Sequence, residues 1–143
     1  MARTYRLFAY GKFLAEEEDH AVLVEHGAKL IGPAQTATGY QLVEAGPLPG
    51  IVKRGTGAVV GELYEVSSQL LGHCDLERDH PRLYVRDEIE LDDGTTAWAY
   101  TFRNRQALGV HRIASGDYRN RFAPTDKPRP GAWVKWAKSR HRS

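Results

Sequence analysis

Glycine and proline recur so closely in the first half of the chain that no long helix fits there. A glycine inside a helix costs about 1 kcal/mol and a proline about 3 kcal/mol relative to alanine. Short strands separated by turns therefore fit this segment better, around Tyr40–Val43, Ile51–Val52 and Ala58–Val66. The residues that impose the limit are Gly32, Pro33, Gly39, Gly46, Pro47, Pro49, Gly50, Gly55, Gly57 and Gly61.

Three elements flank this segment. Tyr5–Tyr10 is a mostly apolar run that predicts a first, buried strand. Glu16–His26 has an acidic first turn and is followed by Gly27, which predicts a short helix. A second short helix is predicted from Ser67 or Ser68, either of which can act as its N-cap, to about Arg78.

The strongest local signal is a hairpin in the second half. Apolar and polar residues alternate over Leu83–Leu91, the pattern of a half-buried strand. Asp93-Gly94 is a favoured hairpin turn, and Thr95–Arg103 returns with aromatic residues at alternate positions. Many short strands with two short helices predict an α+β domain, a small mixed β-barrel that is closed or nearly closed.

Length and charge divide the chain into a domain and a tail. A chain of 143 residues predicts one domain, which we place at residues 1–125. Residues 126–143 form a tail with three prolines or glycines, and from Lys127 onward it has six basic and no acidic residues. Residues 1–126 have 14 basic residues against 18 acidic ones, a net charge of −4. A basic tail can contact nucleic acid, but the acidic domain does not continue such a surface, so a solvated tail is the favoured interpretation.

Several classes of protein are disfavoured. The sequence has no run of about 20 apolar residues and no signal-peptide pattern, which predicts a cytoplasmic protein that does not enter membranes. It has a single cysteine, Cys74, whose place in a helical apolar pattern favours a core role over a nucleophilic one. No nucleophile elbow, zinc motif, P-loop or dinucleotide fingerprint is found, so no motif points to a metal or a bound nucleotide.

Two segments remain as candidates for chemistry. The first is the turn after the predicted first strand, Tyr10 to Phe13, where backbone N–H groups can be exposed. The second is the end of the second helix, where a carboxylate precedes the aromatic hairpin. A carboxylate against apolar surface can act as an acid or a base, although a solvated helix-end glutamate is the commoner case.

The order of several motifs resembles the gamma-glutamyl cyclotransferase-like superfamily, and in particular its gamma-glutamylamine cyclotransferase and avirulence-induced branch. Each motif is weak by itself, but they follow in the family's order from residue 7 to about residue 122. They are Phe8-Ala9-Tyr10-Gly11-Lys12-Phe13, Gly61-Glu62-Leu63-Tyr64-Glu65-Val66, Pro81-Arg82-Leu83-Tyr84-Val85-Arg86, Ala97-Trp98-Ala99-Tyr100 and Ser115-Gly116-Asp117-Tyr118.

The resemblance implies a small mixed barrel that binds a gamma-glutamyl small molecule and needs no cofactor. The substrate's α-amine attacks its own γ-carbonyl, which releases the amine partner and closes 5-oxoproline. A glutamate on the helix before the Pro-x-x-Tyr motif acts as the general acid and base. The positions implied for substrate binding are Tyr10, Gly11, Lys12, Phe13 and Tyr84.

Two departures from the family pattern bear on activity. Lys12 and Phe13 stand where the family has a small residue and a leucine. Counted without gaps from Pro81, Arg78 falls on the position of the glutamate, and Glu77 lies one residue earlier. Because an arginine cannot deprotonate an amine near neutral pH, we predict Glu77 as the catalytic residue. An inactive module that binds a small carboxylate on the same fold is the alternative.

Overall fold

The computed structural model describes residues 3–102 and 111–121. These residues form eight strands, two α-helices and two short 3-10 turns, Gly11–Phe13 and Tyr118–Asn120. The helices are α1 (His20–Glu25) and α2 (Ser68–Glu77). The strands are β1 (Thr4–Ala9), β2 (Lys29–Gln35), β3 (Tyr40–Ala45), β4 (Leu48–Lys53), β5 (Val60–Ser67), β6 (Tyr84–Glu90), β7 (Thr96–Phe102) and β8 (His111–Arg112).

Strand β7 lies at the centre of the sheet. It runs antiparallel to β6 and parallel to both β1 and β4, through the pairs Leu7–Trp98 and Ile51–Thr101. Its residues are buried on both faces, since Ala99 and Thr101 are as well covered as Tyr100. A strand covered on both sides has a nearly continuous apolar sequence rather than a clean alternation.

The mixed sheet curls into a half-barrel. Its order is β2-β5-β1-β7-β4-β3-β8, and β6 pairs with β7 outside that path. Just beyond the ends of β2 and β6, Thr36 and Leu91 form an antiparallel bridge, and the Asp92 N–H donates to the Gln35 carbonyl at 2.9 Å. These contacts bring the two sides of the sheet together. The predicted α+β class with a small mixed barrel is confirmed.

Helix α2 follows β5 without a loop and packs one face against the core. Its N-cap is Ser67, one of the two candidates from the sequence, and the Ser67 side chain accepts a hydrogen bond from the Leu70 N–H. Leu70, Leu71 and Cys74 are buried. The helix ends at Glu77, and Arg78 follows as its C-cap.

Asp75 attaches the end of α2 to the sheet. Its carboxylate accepts hydrogen bonds from Arg86 Nε at 2.8 Å and from the Tyr100 hydroxyl at 2.6 Å. The Arg86 guanidinium also lies over the ring of Trp98, 5.0 Å from its centroid. Because Arg86 is on β6 and Tyr100 on β7, these bonds fix how the last turn of α2 is rotated relative to the hairpin.

Three local expectations need correction. The helix predicted over Glu16–His26 is limited to α1, because residues 14–19 form turns and Glu16 has a φ of 71°. Strand β2 was not predicted, because Gly32 and Pro33 suggested a turn; both are accommodated in a strand at the edge of the sheet, next to a register shift. In β6 the buried residues are Tyr84 and Ile89, whereas Val85, and Leu83 just before the strand, are only half-buried.

The tail predicted at residues 126–143 lies outside the described residues, as does the end of the predicted domain after residue 121. Within residues 3–102 and 111–121, neither helix has the length and apolar character needed to cross a bilayer.

The Asp75 contacts give a stability prediction. Asp75→Asn removes the charge that holds Arg86, and we expect the free energy of unfolding to fall by about 1–3 kcal/mol, typical of a charged hydrogen bond. Asp79→Asn is the matched control, because Asp79 is exposed and asparagine tolerates its φ of 50°. Urea unfolding measures both variants, and equal losses would show that Asp75 does not hold α2 to the sheet.

Candidate functional site

The turn that follows β1 depends on Gly11. Its φ is +61°, in the left-handed region that disfavours residues with a Cβ. A Cβ at this position would lie 2.8 Å from Cγ of Pro49 on β4. The turn therefore packs directly against a neighbouring strand, and only glycine satisfies both the backbone angle and the contact.

Two backbone N–H groups of this turn remain available. The N–H of Phe13 donates to the Tyr10 carbonyl, and that of Leu14 donates to the Gly11 carbonyl, both at 3.2 Å. The N–H groups of Gly11 and Lys12 come first in the 3-10 turn, and no acceptor for them is found among the described residues. Adjacent free N–H groups of this kind suit a carboxylate or a polarised carbonyl oxygen.

The hydroxyls of Tyr10 and Tyr84 form hydrogen bonds to the strands that lie next to the turn. The Tyr10 hydroxyl donates to the Tyr100 carbonyl and accepts from the Ile51 N–H, and the Tyr84 hydroxyl donates to the Pro49 carbonyl at 2.5 Å. Burial raises the pKa of Tyr10, and burial, partly opposed by the nearby Arg78, raises the pKa of Tyr84 to about 12. Both phenols are therefore neutral near pH 7, so they order the site but supply no base.

The side chain of Arg78 reaches the turn. Its guanidinium carbon lies 3.7 Å from the centroid of the Phe13 ring and 5.6 Å from that of Tyr84. Nη1 pairs with Oδ2 of Asp19 at 2.9 Å, and the Arg78 side chain is only 11% exposed. The site thus contains a largely buried arginine, stacked on one of the residues predicted to bind substrate.

Glu77 makes no described contact with the turn. It is the last residue of α2, it is exposed, and no described hydrogen bond or ion pair connects it to Tyr10, Gly11, Lys12 or Phe13. Successive helical residues point about 100° apart, so the end of α2 directs Arg78 toward the core and Glu77 away from it. The role of Glu77 stays a prediction.

Lys12 is engaged within the protein. Its ammonium lies 3.2 Å from Oε1 of Glu18, and its side chain is 16% exposed. Of the predicted binding residues, the structure brings Tyr10, Gly11, Phe13 and Tyr84 together, and it turns the Lys12 side chain toward the acidic loop before α1.

Two acidic residues near the turn were missed by the sequence analysis. Asp19 was assigned to the acidic first turn of a helix, which gave no reason to place it against Arg78. Glu62 lies inside the quoted Gly-Glu-x-Tyr motif, and that motif could have identified it. Its Oε1 accepts from the Ala15 N–H at 3.0 Å and from the Tyr64 hydroxyl at 3.1 Å, and its Oε2 pairs with Arg119 at 3.1 Å.

Glu62 holds the loop that follows the turn, because Ala15 begins the segment leading to Asp19. Burial raises the pKa of Glu62, but the hydrogen bonds from Ala15, Arg119 and Tyr64 outweigh it and keep that pKa below its usual value. The carboxylate is therefore ionised near neutral pH. It stabilises the loop rather than exchanging protons there.

Cys74 has the core role expected for it. It is fully covered on the inner face of α2. Burial is the largest influence on its pKa, which rises to about 12, so the thiol is not ionised near neutral pH and is unreactive as a nucleophile.

Comparison with known proteins agrees with this fold. The model of the family "Gamma-glutamyl cyclotransferase, AIG2-like" matches residues 7–120. A Vibrio cholerae protein named "Putative gamma-glutamylcyclotransferase" is 37% identical over 112 residues, covering 78% of this chain and 93% of the relative. A Drosophila melanogaster protein of similar name is 32% identical over 110 residues, covering 69% and 70%.

Solved structures show the same architecture. The solution structure of the Escherichia coli protein ytfP is 32% identical with a TM-score of 0.64, and the match covers 82% of this chain and 98% of that one. An AIG2-like protein from Mus musculus is 26% identical with a TM-score of 0.64, covering 74% and 84%. The chain belongs to the gamma-glutamyl cyclotransferase, AIG2-like family, a family of cyclotransferase-type enzymes.

The turn gives a second stability prediction. Gly11→Ala should destabilise the protein by about 1–3 kcal/mol, because it forces a Cβ into a left-handed conformation and against Pro49. Gly72→Ala is the control, since Gly72 lies in α2 with open space around it and should gain about 0.5–1 kcal/mol. Thermal unfolding compares the two, and a neutral Gly11→Ala would mean that the turn is not constrained by β4.

Glu62 gives a prediction on pH. A carboxyl whose pKa is lowered in the folded protein stabilises it above the unfolded pKa of about 4.3, and this contribution is lost as the pH falls through the lower folded value. Glu62→Gln should therefore reduce stability near neutral pH, and its difference from the wild type should shrink as the pH falls from about 5 toward about 3. A difference that is constant with pH in urea titrations would rule out the ionised carboxylate as the cause.

Proposed function

We propose that the protein releases 5-oxoproline from a gamma-glutamyl amine or amide. The observation that carries the proposal is the Gly11–Lys12 turn, which has two N–H groups without an acceptor among the described residues, in a chain of this family. The next residue of the turn, Phe13, lies against Arg78 at the end of α2. A small-molecule substrate is consistent with the family to which the chain belongs. A cytoplasmic location remains part of the proposal, on the sequence features given above.

The proposed reaction is intramolecular and needs no water. The nitrogen of the substrate's α-amine forms a bond to its own γ-carbonyl carbon, the bond from that carbon to the amine partner breaks, and a proton moves from the attacking nitrogen to the leaving one. Holding the amine and the carbonyl in contact can contribute up to about 7–11 kcal/mol in ideal cases. The turn contributes by fixing the substrate and by stabilising the charge that develops on the carbonyl oxygen.

Glu77 is the group proposed to move the proton. It is the exposed last residue of α2, directly before Arg78, and no described hydrogen bond or ion pair restrains it. An exposed side chain at a helix end can change rotamer on a fast timescale. The proposal requires that such a rotamer bring the carboxylate to a ligand bound at the turn.

A second candidate function has a specific observation in its favour. Arg78 occupies the inward position at the helix end, where the family resemblance places the glutamate, and it lies 3.7 Å from the Phe13 ring. An arginine there can bind a carboxylate but cannot accept a proton. The alternative is therefore a module on the same fold that binds a small carboxylate without converting it.

The test is the release of 5-oxoproline from gamma-glutamyl amines and dipeptides by the full chain. Glu77→Gln keeps size and polarity but removes the proton acceptor, so we expect turnover to fall by a factor of about 10² or more with folding unchanged. Asp79→Asn is the control, since it removes one exposed carboxylate two positions after Glu77 and should affect turnover far less.

Three outcomes decide between the candidates. Turnover that survives in Glu77→Gln would assign the proton transfer to another group. A wild-type protein that binds gamma-glutamyl compounds but releases no 5-oxoproline would favour the binding module. Strongly salt-dependent binding of nucleic acid by the full chain would instead support a role for the basic tail.

A further inference from the structure

We propose that Arg78 is the residue that recognises the α-carboxylate of the ligand, and that Asp19 competes with the ligand for it. The inference rests on the proposed function in one respect, namely that the ligand is a gamma-glutamyl compound or its cyclic product. It does not depend on whether that ligand is converted.

The hydrogen bonding of Arg78 is the first observation. A guanidinium carries five N–H donors. Among the described residues, the Arg78 guanidinium donates one hydrogen bond, from Nη1 to Asp19, although its side chain is only 11% exposed. Most of its donors are thus shielded from solvent without an acceptor in the described part of the protein. Donors in that situation favour an added anionic partner.

The aromatic contacts of Arg78 are the second observation. Its guanidinium carbon lies over the ring of Phe13 at 3.7 Å and faces Tyr84 at 5.6 Å. Stacking on a ring face fixes the plane of the guanidinium and leaves its edge available for a planar carboxylate. Since Phe13 belongs to the turn itself, a carboxylate held by Arg78 lies next to Tyr84 and the Gly11 backbone.

Three other cationic side chains among the described residues already have carboxylate partners. Arg86 donates two hydrogen bonds to Asp75, and Arg119 donates to both Glu62 and the Ala15 carbonyl. Lys12 is paired with Glu18. Arg78 therefore combines a position at the turn with donors that the described protein leaves unused.

The competing interpretation is that Arg78 and Asp19 form a structural ion pair that only joins α2 to the loop before α1. The two interpretations predict different effects of Arg78→Gln and Asp19→Asn on ligand affinity. Removing either member of a structural pair damages the same arrangement, so both variants should weaken ligand binding or neither should. If Arg78 binds the ligand and Asp19 competes, the two variants act in opposite directions.

The experiment measures the binding of 5-oxoproline and of 2-pyrrolidinone, the same ring without the carboxylate, by calorimetry on the full chain. Wild-type protein should bind 5-oxoproline saturably and 2-pyrrolidinone much more weakly. Arg78→Gln should weaken 5-oxoproline binding by about 10- to 100-fold, the range for a charged hydrogen-bonded contact, and should leave 2-pyrrolidinone binding unchanged. Asp19→Asn should strengthen 5-oxoproline binding at least about twofold, because it removes a negative charge beside the guanidinium.

Two further variants control the result. Arg82→Gln removes the same charge from an exposed position on the loop before β6, and it should change neither affinity. The double variant Asp19→Asn, Arg78→Gln removes both charges and leaves no unpaired ion, so it tests recognition even where Arg78→Gln by itself folds poorly. It should bind 5-oxoproline as weakly as Arg78→Gln.

The outcomes separate this inference from the proposed function. Saturable binding that depends on Arg78, without any release of 5-oxoproline from gamma-glutamyl compounds, would overturn the proposed reaction and leave the inference standing. Turnover with a KM that Arg78→Gln does not change would overturn the inference and leave the reaction standing. The inference also fails if wild-type protein does not bind 5-oxoproline, if 2-pyrrolidinone binds equally well, or if Asp19→Asn weakens binding as Arg78→Gln does.

Discussion

The pairing of β7 with three other strands is the constraint that shapes the rest of the molecule. β7 joins β1, β4 and β6 in one sheet, and these strands supply the turn, Pro49 and Tyr84 respectively. Residues far apart in sequence therefore meet at one end of the sheet. Burial of β7 on both faces stabilises this arrangement, because each face contributes apolar area that is removed from water.

The candidate site is built by interlocking backbone contacts more than by side chains that reach out to a ligand. Gly11 allows the turn to approach Pro49, and the carbonyl of Pro49 in turn accepts the Tyr84 hydroxyl. Tyr10 connects β4 to β7 through its own hydroxyl. Contacts of this kind restrict the backbone of the turn, which reduces the cost of ordering it when a ligand binds.

The charged side chains around the candidate site form separate ion pairs. Asp75 with Arg86 sets the rotation of the end of α2, and that rotation turns Arg78 inward and Glu77 outward. Glu62 holds the loop that carries Asp19 to Arg78. The identity of the inward residue matters chemically, because a carboxylate there can exchange a proton and a guanidinium can only bind an anion.

Local patterns in the chain were enough to specify several elements and the family. Alternation and the Asp93-Gly94 turn predicted the β6–β7 hairpin, the Ser67-Ser68 pair predicted the start of α2, and the ordered motifs predicted a small mixed barrel, because each depends on neighbouring residues. Features that depend on distant residues came only from the folded chain: β2 is a strand because β5 pairs with it, and Asp19 meets Arg78 across 59 positions of the chain. Whether residue 77 or 78 faces the turn likewise follows from the contacts of Asp75 with β6 and β7, which no local pattern encodes.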